Sequence, residues 1–410
     1  MGSEESDWDA VIIGAGAAGL LAAIRASERG RHVLVLEKNP RPGAKILMSG
    51  GGRCNLTHDT DARGIAAAFG PPGRFLHSAL AAFGPRDIIA LMESEGVPTR
   101  TEEGGKVFPS GGKSSDVLEA LLRYLRRGAC AIAIGEPVKD LSRDGDGFLL
   151  STSRRTLRCG RVVVTTGGRS YPACGTTGDG YHWARALRHT VAPPRPALVP
   201  VTVKVPWVRE LRGLSIPDAD VRVTEAPGGR PLARSRGAIL FAHFGLSGPA
   251  ILDVSRAVRC PGLALECDLL PGLPVPDIEG LLRKAASSSG KKKVEGVFPE
   301  VLPRRLGEVL TRKAGLPLGR KAAELTKDER VRFVESIKRL RLPLSGTLGF
   351  DRAEVTAGGV ALDEVDPRSM ESRVVPGLFF AGEMLDLDGP VGGYNLQAAF
   401  STGWAAGANV

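Results

Sequence analysis

The chain has 410 residues, 42% of them hydrophobic and 24% charged, with 53 glycines and 29 prolines. This is the make-up of a globular protein of two or three domains rich in tight turns, not of a disordered chain, and no apolar run reaches the roughly 18 residues that a membrane span needs. Lys and Arg outnumber Asp and Glu by 55 to 45, a net charge of +10, which suits either an anionic partner or a solvated, arginine-rich surface. The densest cluster, Lys291-Lys292-Lys293, has no interleaved aromatics, so the solvated surface is the expectation and nucleic acid is not the expected partner.

The first residues, MGSEESDWD, are polar and acidic rather than a secretory signal, which points to the cytoplasm. Six cysteines (Cys54, Cys130, Cys159, Cys174, Cys260 and Cys267) lie scattered without a CxxC, so neither a metal site nor a redox dithiol is expected.

In chain order, Ala10–Ile13 is an apolar, β-branched run suited to a buried strand. Gly14-Ala15-Gly16-Ala17-Ala18-Gly19 follows directly, then Leu20–Arg29 reads as a helix stopped by Gly30, and Val33–Leu36 as a second strand ending at Glu37. In such a βαβ unit the first glycine makes the tight turn and the second lets a pyrophosphate approach the backbone. The third lets the helix lie close to the sheet, and the helix N-terminus offers N–H groups to the phosphates. Glu37 is placed to accept bonds from both ribose hydroxyls, which favours a ribose without a 2′-phosphate. The fingerprint alone does not separate FAD from NAD.

Lys45 to His58 carries three consecutive glycines, Gly50-Gly51-Gly52, followed by Arg53. The glycines let backbone lie against a flat ligand, with Lys45 and Arg53 as cations for phosphate or carbonyl oxygens. Phe75–Glu95 has helical periodicity. Ser115-Asp116 reads as the cap of a helix Val117–Arg127, and Ala131–Ile134 and Arg161–Thr165 as strands, the latter ended by Gly167-Gly168.

A proline-rich stretch, Pro193-Pro194-Arg195-Pro196, reads as a hinge. Short β-like runs alternate from Leu198 to about Leu270, and Pro271 to about Arg341 is mostly helical, interrupted by SSSGKKK as a loop. Leu348–Phe350 and Ala353–Thr356 look like strands, Leu378–Glu383 like a last buried strand, and Gly392-Gly393-Tyr394-Asn395 opens a final helix lined with small residues. The dinucleotide fingerprint and this last strand–loop–helix therefore bracket an insertion. A second glycine-rich helix N-terminus suits FAD, whose ribityl chain and ring extend well past the pyrophosphate.

Gly14, Gly16, Gly19, Ala23, Gly30 and Glu37 are in register with the FAD fingerprint of the glutathione-reductase-like flavoproteins. Thr165-Thr166-Gly167-Gly168 and Gly377–Glu383 resemble that group's two later FAD motifs. More narrowly, the segments Lys45–Thr57, Phe241–Ala250 and Gly382–Gln397 are similar to the BaiN-like (aminoacetone-oxidase-like) family of NAD(P)/FAD-dependent oxidoreductases, in the same order along the chain. The departures are Ala242 and His58, where that family usually has Thr and Asn.

The resemblance implies an α/β fold: a glutathione-reductase-like, Rossmann-type FAD domain (1–191 and 346–410) split by an inserted substrate-side domain at 192–345. The insertion would hold a β-barrel at about 192–270 and a helical part at about 271–341. It also implies that Glu37 binds the adenosine ribose, that Lys45, Gly51 and Arg53 lie along the pyrophosphate and flavin, and that Val138 meets the adenine. Glu383 would take the ribityl chain, and Gly393, Tyr394 and Asn395 would offer N–H groups to the pyrimidine end of the ring. Ala17, Ala18, Lys38, Gly52, Thr166, Gly167, Gly382 and Gly392 complete the expected cofactor lining.

The expected reaction is hydride transfer between flavin N5 and a small organic substrate. The alternative is a flavin-containing protein that binds or modifies tRNA. No second GxGxxG appears, so NAD(P)H would bind only transiently as a reductant; the electron acceptor and the oligomeric state stay open. No residue is a clear acid or base. His243 between Phe241 and Phe244 is either catalytic or packed in a core, Cys54 is either an activated or an inert buried thiol, and Tyr171 is a further proton donor to consider.

Overall fold

The β-branched run Ala10–Ile13 forms the central strand of a five-stranded parallel sheet in the computed structural model, which describes residues 8–259, 262–288, 291–298 and 302–410. The strand order is Leu378–Phe380, Val162–Val164, Ala10–Ile13, Val33–Glu37 and Cys130–Ile134, with every neighbouring pair parallel. Ile12 registers with Val163 on one side and Val35 on the other. Ala10–Ile12 are wholly buried, as a central parallel strand covered on both faces must be.

The helix Ala17–Glu28 follows the first strand, and the final helix Tyr394–Gly407 packs against it with almost no side chain between the two backbones. A Cβ on Gly403 would stand 2.1 Å from the carbonyl oxygen of Ala18, and one on Gly407 would stand 2.2 Å from that of Ala22. The four-residue spacing on each helix puts both close approaches on a single stripe. Gly382 donates its N–H to Thr402 Oγ1 at 2.9 Å, tying the last strand's exit to the same helix.

The chain divides into two compact units: residues up to Pro196 together with Phe350–Val410, and Ala197–Gly349. The first holds the parallel sheet and two small antiparallel sheets, Thr57–His58 with Lys106–Pro109 and Thr99–Glu102, and Val138–Asp144 with Gly147–Thr152 and Thr156–Cys159. The second unit holds a seven-stranded antiparallel sheet ordered Leu340–Pro343, Ala264–Asp268, Ser215–Thr224, Ala233–Ala242, Gly245–Ser247, Val201–Thr202 and Gly346–Thr347. Helices Val275–Ser288, Arg304–Lys313 and Lys327–Lys338 belong to that unit, and Phe241, Leu265, Leu306, Phe333 and Ile337 lie in its core.

Several local expectations need correction. Phe75–Glu95 is not one helix: a 3₁₀ turn Pro71–Leu76 runs into the helix His77–Ala82, and Gly84-Pro85 restarts the chain as Pro85–Ser94, because proline removes a donor and starts helices well. The cap expected at Ser115-Asp116 is absent; the helix runs Ser114–Leu125, with Lys113 before it and no side-chain cap. The proline-rich hinge is a strand, Val191–Ala197, paired with Val355–Val360. It belongs to a two-stranded sheet, where missing N–H donors can be tolerated. The second of those strands runs through Gly358, whose Cβ would meet the Pro193 carbonyl oxygen at 2.5 Å. Leu348–Phe350 is not a strand; Gly346–Thr347 pairs before it and Phe350–Arg352 is a 3₁₀ turn. Cys260, and Ser289-Gly290 of the SSSGKKK loop, lie outside the described residues. No helix among the described residues is long and apolar enough to cross a membrane.

The helix–helix contact makes a direct prediction. Gly403→Val inserts a branched side chain where no space exists and should destabilise the protein by about 2–3 kcal/mol. Urea unfolding measures it; a wild-type midpoint would show that the two helices part without cost.

Candidate functional site

Everything about the site begins at the turn out of the first strand. Gly14 has φ +104° and donates its N–H to the Leu36 carbonyl at 2.8 Å. A Cβ on Gly19 would lie 1.9 Å from the Gly14 carbonyl oxygen, so only glycine allows this close seating of helix on turn. A Cβ on Gly16, by contrast, would meet no protein atom within 4 Å. The first intrahelical bond runs from the Leu20 N–H to the Gly16 carbonyl, so the N–H groups of Ala17 and Ala18 have no intrahelical acceptor. An open approach over Gly16, with helix N–H groups and the positive end of the dipole behind it, is a cradle for a pyrophosphate.

Glu37 is buried, 7% exposed, at the end of the second strand. Its Oε2 accepts the Ala15 N–H and its Oε1 the Asn39 N–H, each at 2.8 Å. The two bonds fix the carboxylate plane and leave each oxygen with acceptor capacity for a hydroxyl. Lys38 turns the other way, its Nζ at 2.6 Å from both Thr177 Oγ1 and Asp179 Oδ2. Val138, half-buried, begins the strand Val138–Asp144 just after the Cys130–Ile134 strand that neighbours Glu37.

The C-terminal half reaches the same place. Glu383, just beyond the strand Leu378–Phe380, forms an ion pair with Lys45. Ser170 Oγ donates to Glu383 Oε1 at 2.8 Å, and so does the Thr356 N–H at 2.7 Å. Lys45 Nζ also donates to Ser170 Oγ at 2.7 Å. Lys45 and Glu383, 338 residues apart, thus neutralise each other inside one network. The buried Tyr181 phenol donates to the Glu383 carbonyl at 2.9 Å, and burial pushes its pKa well above the ordinary value.

Four network members, Tyr181 among them, lie outside the expected set of site residues. Ser170 and Thr356 hold Glu383. Thr165 Oγ1 lies 2.9 Å from both the Ile13 and the Gly14 carbonyl, bracing the glycine turn from the neighbouring strand. Thr166, the expected residue there, points its hydroxyl at Met384 Sδ, 3.2 Å away. A Cβ on Gly167 would meet the Thr176 side chain, and one on Gly382 the Ala18 side chain, so both stand at close contacts. The TTGG run signals that a close contact exists, but which hydroxyl faces it depends on strand register.

The triple glycine is the broken end of a helix, Ala44–Gly52, with non-helical angles at Ser49, Gly50 and Gly51. Gly51 and Gly52 have positive φ and no protein atom within 4 Å of a Cβ. Arg53 does not follow Lys45. Its Nη1 lies 2.8 and 3.1 Å from the Glu102 carboxylate oxygens, and its guanidinium sits 4.1 Å over the Phe108 ring.

At the final helix, Gly393 caps with φ +93°. With its carboxamide oxygen turned towards Gly393, Asn55 accepts that N–H at 3.0 Å and donates to the Thr57 carbonyl at 3.0 Å. The Tyr394 ring stacks on His58 with centroids 4.5 Å apart, and His58 Nδ1 lies 3.1 Å from the Gly392 carbonyl oxygen. The Asn395 carboxamide closes on Gly389, accepting its N–H at 2.8 Å and donating to its carbonyl at 2.9 Å.

The three acid–base candidates separate. Cys54 is wholly buried, and burial pushes its thiol up to about 12, so the activated-thiol reading is corrected to an inert one. His243 is in neither a core nor a network: it is exposed in the two-residue turn that joins Ala242 to Gly245, edge-on to Phe244 at 5.0 Å. Tyr171 is half-buried beside Ser170, with φ +53° and its N–H on the Phe350 carbonyl at 3.0 Å.

A family model described as the HI0933-like protein Rossmann domain matches residues 8–409. The chain is 34% identical over 401 residues to a ribosomal RNA dihydrouridine synthase of Escherichia coli, covering 97% of this chain and 96% of that one. It is 33% identical over 407 residues to a 3-dehydro-bile acid delta(4,6)-reductase of Clostridium scindens, covering 97% of each. Among solved structures, a 3-ketosteroid-delta4-(5alpha)-dehydrogenase from Rhodococcus jostii RHA1 superposes with a TM-score of 0.52 at 17% identity over 98% of both chains, a likeness of fold.

Two outcomes follow from the geometry. Gly16→Val should abolish dinucleotide binding with the fold retained, since the added methyls would meet no protein but would block the cradle; cofactor content after purification measures it, and an unchanged content would refute the placement. Cys54 should resist alkylation at pH 8 in the native protein and react only on unfolding, because its thiol stays protonated up to about pH 12; rapid labelling of the Cys54 peptide would overturn its assignment as inert.

Proposed function

The chain belongs to the HI0933-like Rossmann family and is an FAD-dependent oxidoreductase, and on that footing we propose that it reduces a carbon–carbon double bond conjugated to a carbonyl group. The observation that carries the cofactor side of this reading is the convergence of the open Gly16 cradle, the fixed Glu37 carboxylate and the Lys45–Glu383 network in one unit.

The residues fit FAD. The N–H groups at Ala17 and Ala18 would face the pyrophosphate, and Glu37 would accept the adenosine ribose hydroxyls. The Lys45–Glu383 network would lie along the ribityl chain, and the first turn at Tyr394 would meet the ring. Bound flavin supplies the hydride-transferring centre. The side chains supply charge and shape: Lys45 and Glu383 present a nearly neutral wall, while the positive end of the final helix would favour the negative charge that a reduced ring carries. A transiently bound nicotinamide would supply the electrons. The unit at 197–349, with its seven-stranded antiparallel sheet, would act as the substrate-side insertion.

The substrate class comes from the chemistry that the two relatives' names share. Dihydrouridine is uridine with its C5–C6 double bond saturated, next to a carbonyl. A delta(4,6)-reductase saturates a double bond conjugated to a 3-oxo group. Both need hydride at the β-carbon, a proton at the α-carbon, and stabilisation of charge on the carbonyl oxygen.

Within that class one observation favours uridine in RNA over a small molecule. Residues 197–349 contain 26 Lys and Arg against 16 Asp and Glu, whereas the rest of the chain contains 29 against 29. The whole net charge of +10 therefore belongs to one unit. A merely arginine-rich surface would spread its excess over both, so the segregation supports a polyanion.

The purified protein should be yellow, and its reduced flavin, held without oxygen, should be reoxidised by uridine-containing RNA with a gain of two hydrogens on uridine, read by nucleoside mass spectrometry. Reoxidation by a 3-oxo-4,6-diene steroid with none by RNA would keep the double-bond chemistry and reject the RNA substrate; no reoxidation by either would reject both.

A further inference from the structure

We propose that the charged unit grips RNA through one face, built by the short helix Pro206–Glu210 and the helix Arg304–Lys313; the inference rests on the RNA reading above. The two elements lie about a hundred residues apart in sequence and are stitched by side chains. Arg305 donates to the Glu210 carbonyl, and Arg312 Nη2 donates to Glu210 Oε2 at 2.5 Å. Lys313 Nζ sits 6.0 Å over the ring of Trp207.

Glu210 is thereby spent on internal bonds. Arg209 and Arg212, on either side of it, are exposed and make no ion pair among the described residues. The result is a half-buried indole, packed against the unit's core, with Lys313 over its ring and the exposed, unpaired Arg209 and Arg212 on the same short segment. A flat ring among exposed cations is what single-stranded nucleic acid requires: phosphates pair with the cations and a base stacks on the ring.

The alternative basic surface in this unit is self-compensated. On the antiparallel sheet Arg234 and Arg222 bond to Asp220, and Arg236 bonds to Asp218 at 2.7 and 2.9 Å. Those guanidinium groups have their anions already, so they offer little attraction to a phosphate. Lys291-Lys292-Lys293, the densest cluster in sequence, has no aromatic neighbour in the chain.

The test is fluorescence anisotropy of the FAD-loaded protein with a labelled, uridine-containing stem–loop RNA, titrated at several salt concentrations. Wild type should bind with log affinity falling linearly against log salt. The triple variant Arg209→Glu/Arg212→Glu/Lys313→Glu should bind roughly tenfold or more weakly. The neutral triple Arg209→Gln/Arg212→Gln/Lys313→Gln should lower the salt slope by about 0.7 for each single-strand phosphate that no longer has a cation partner.

Arg63→Glu/Arg74→Glu, in the other unit, should bind as wild type does. Flavin absorbance and thermal unfolding, measured on every variant, show that each remains folded and loaded. Equal binding by both triple variants and wild type, or no salt-dependent binding by wild type, overturns the face. Flavin reoxidation by RNA is scored separately, so failure of the surface and failure of the uridine-reduction reading give different results.

Discussion

The packing of the first helix against the last is the constraint on which the cofactor-binding unit rests. Ala18 and Ala22 present backbone carbonyls where Gly403 and Gly407 present no side chain. Two helices from opposite ends of the chain can approach this closely only if neither carries bulk on the shared stripe. The approach then sets the first turn of the first helix beside the third turn of the last, whose own N-terminus lies roughly 13 Å further along. Thr402 reaches back to Gly382 from the same helix, so the position of the last strand's exit follows from that packing as well.

From that frame the network around Glu383 acquires its shape. Its carboxylate is held by a lysine from the segment after the second strand, a serine from the loop after Val162–Val164, and a backbone N–H of the strand Val355–Val360. Four chain segments meet at one side chain. A carboxylate so fully bonded is rigid, and its paired lysine leaves little net charge. Rigid, nearly neutral surroundings suit an extended cofactor whose own polar groups must be accommodated without reorganisation. Glu37 is held by the same logic at the other end, where two backbone N–H groups fix its orientation without using up its acceptor capacity.

The distribution of charge sets the two units apart. One is electrically balanced and holds the Glu37 and Glu383 networks; the other carries the whole excess of +10. Along the chain the excess looks diffuse, because the unit that holds it is an insertion flanked by balanced segments. Only when the insertion is set apart does the bias stand out, and only the pairing of Asp218, Asp220 and Glu210 shows which arginines still lack an anion.

Taken by itself, the sequence determined the parallel βαβ start and the helix-capping glycines by local rules, and the flavin chemistry only through the resemblance of its longer motifs to a family. A buried β-branched run, glycine at a forced turn and an acid at a strand end keep their meaning in any context. Several elements mislead for an equally local reason: the prolines of 193–196 look like a hinge until a partner strand is known, and the periodicity of Phe75–Glu95 hides the break at Gly84-Pro85. The pairing of Lys45 with Glu383, the turn of Arg53 towards Glu102, the bracing by Thr165 and the fate of Cys54 were decided only by tertiary structure. Each depends on which side chain meets which across distant parts of the chain, and that is set by strand order and helix packing rather than by the residues on either side.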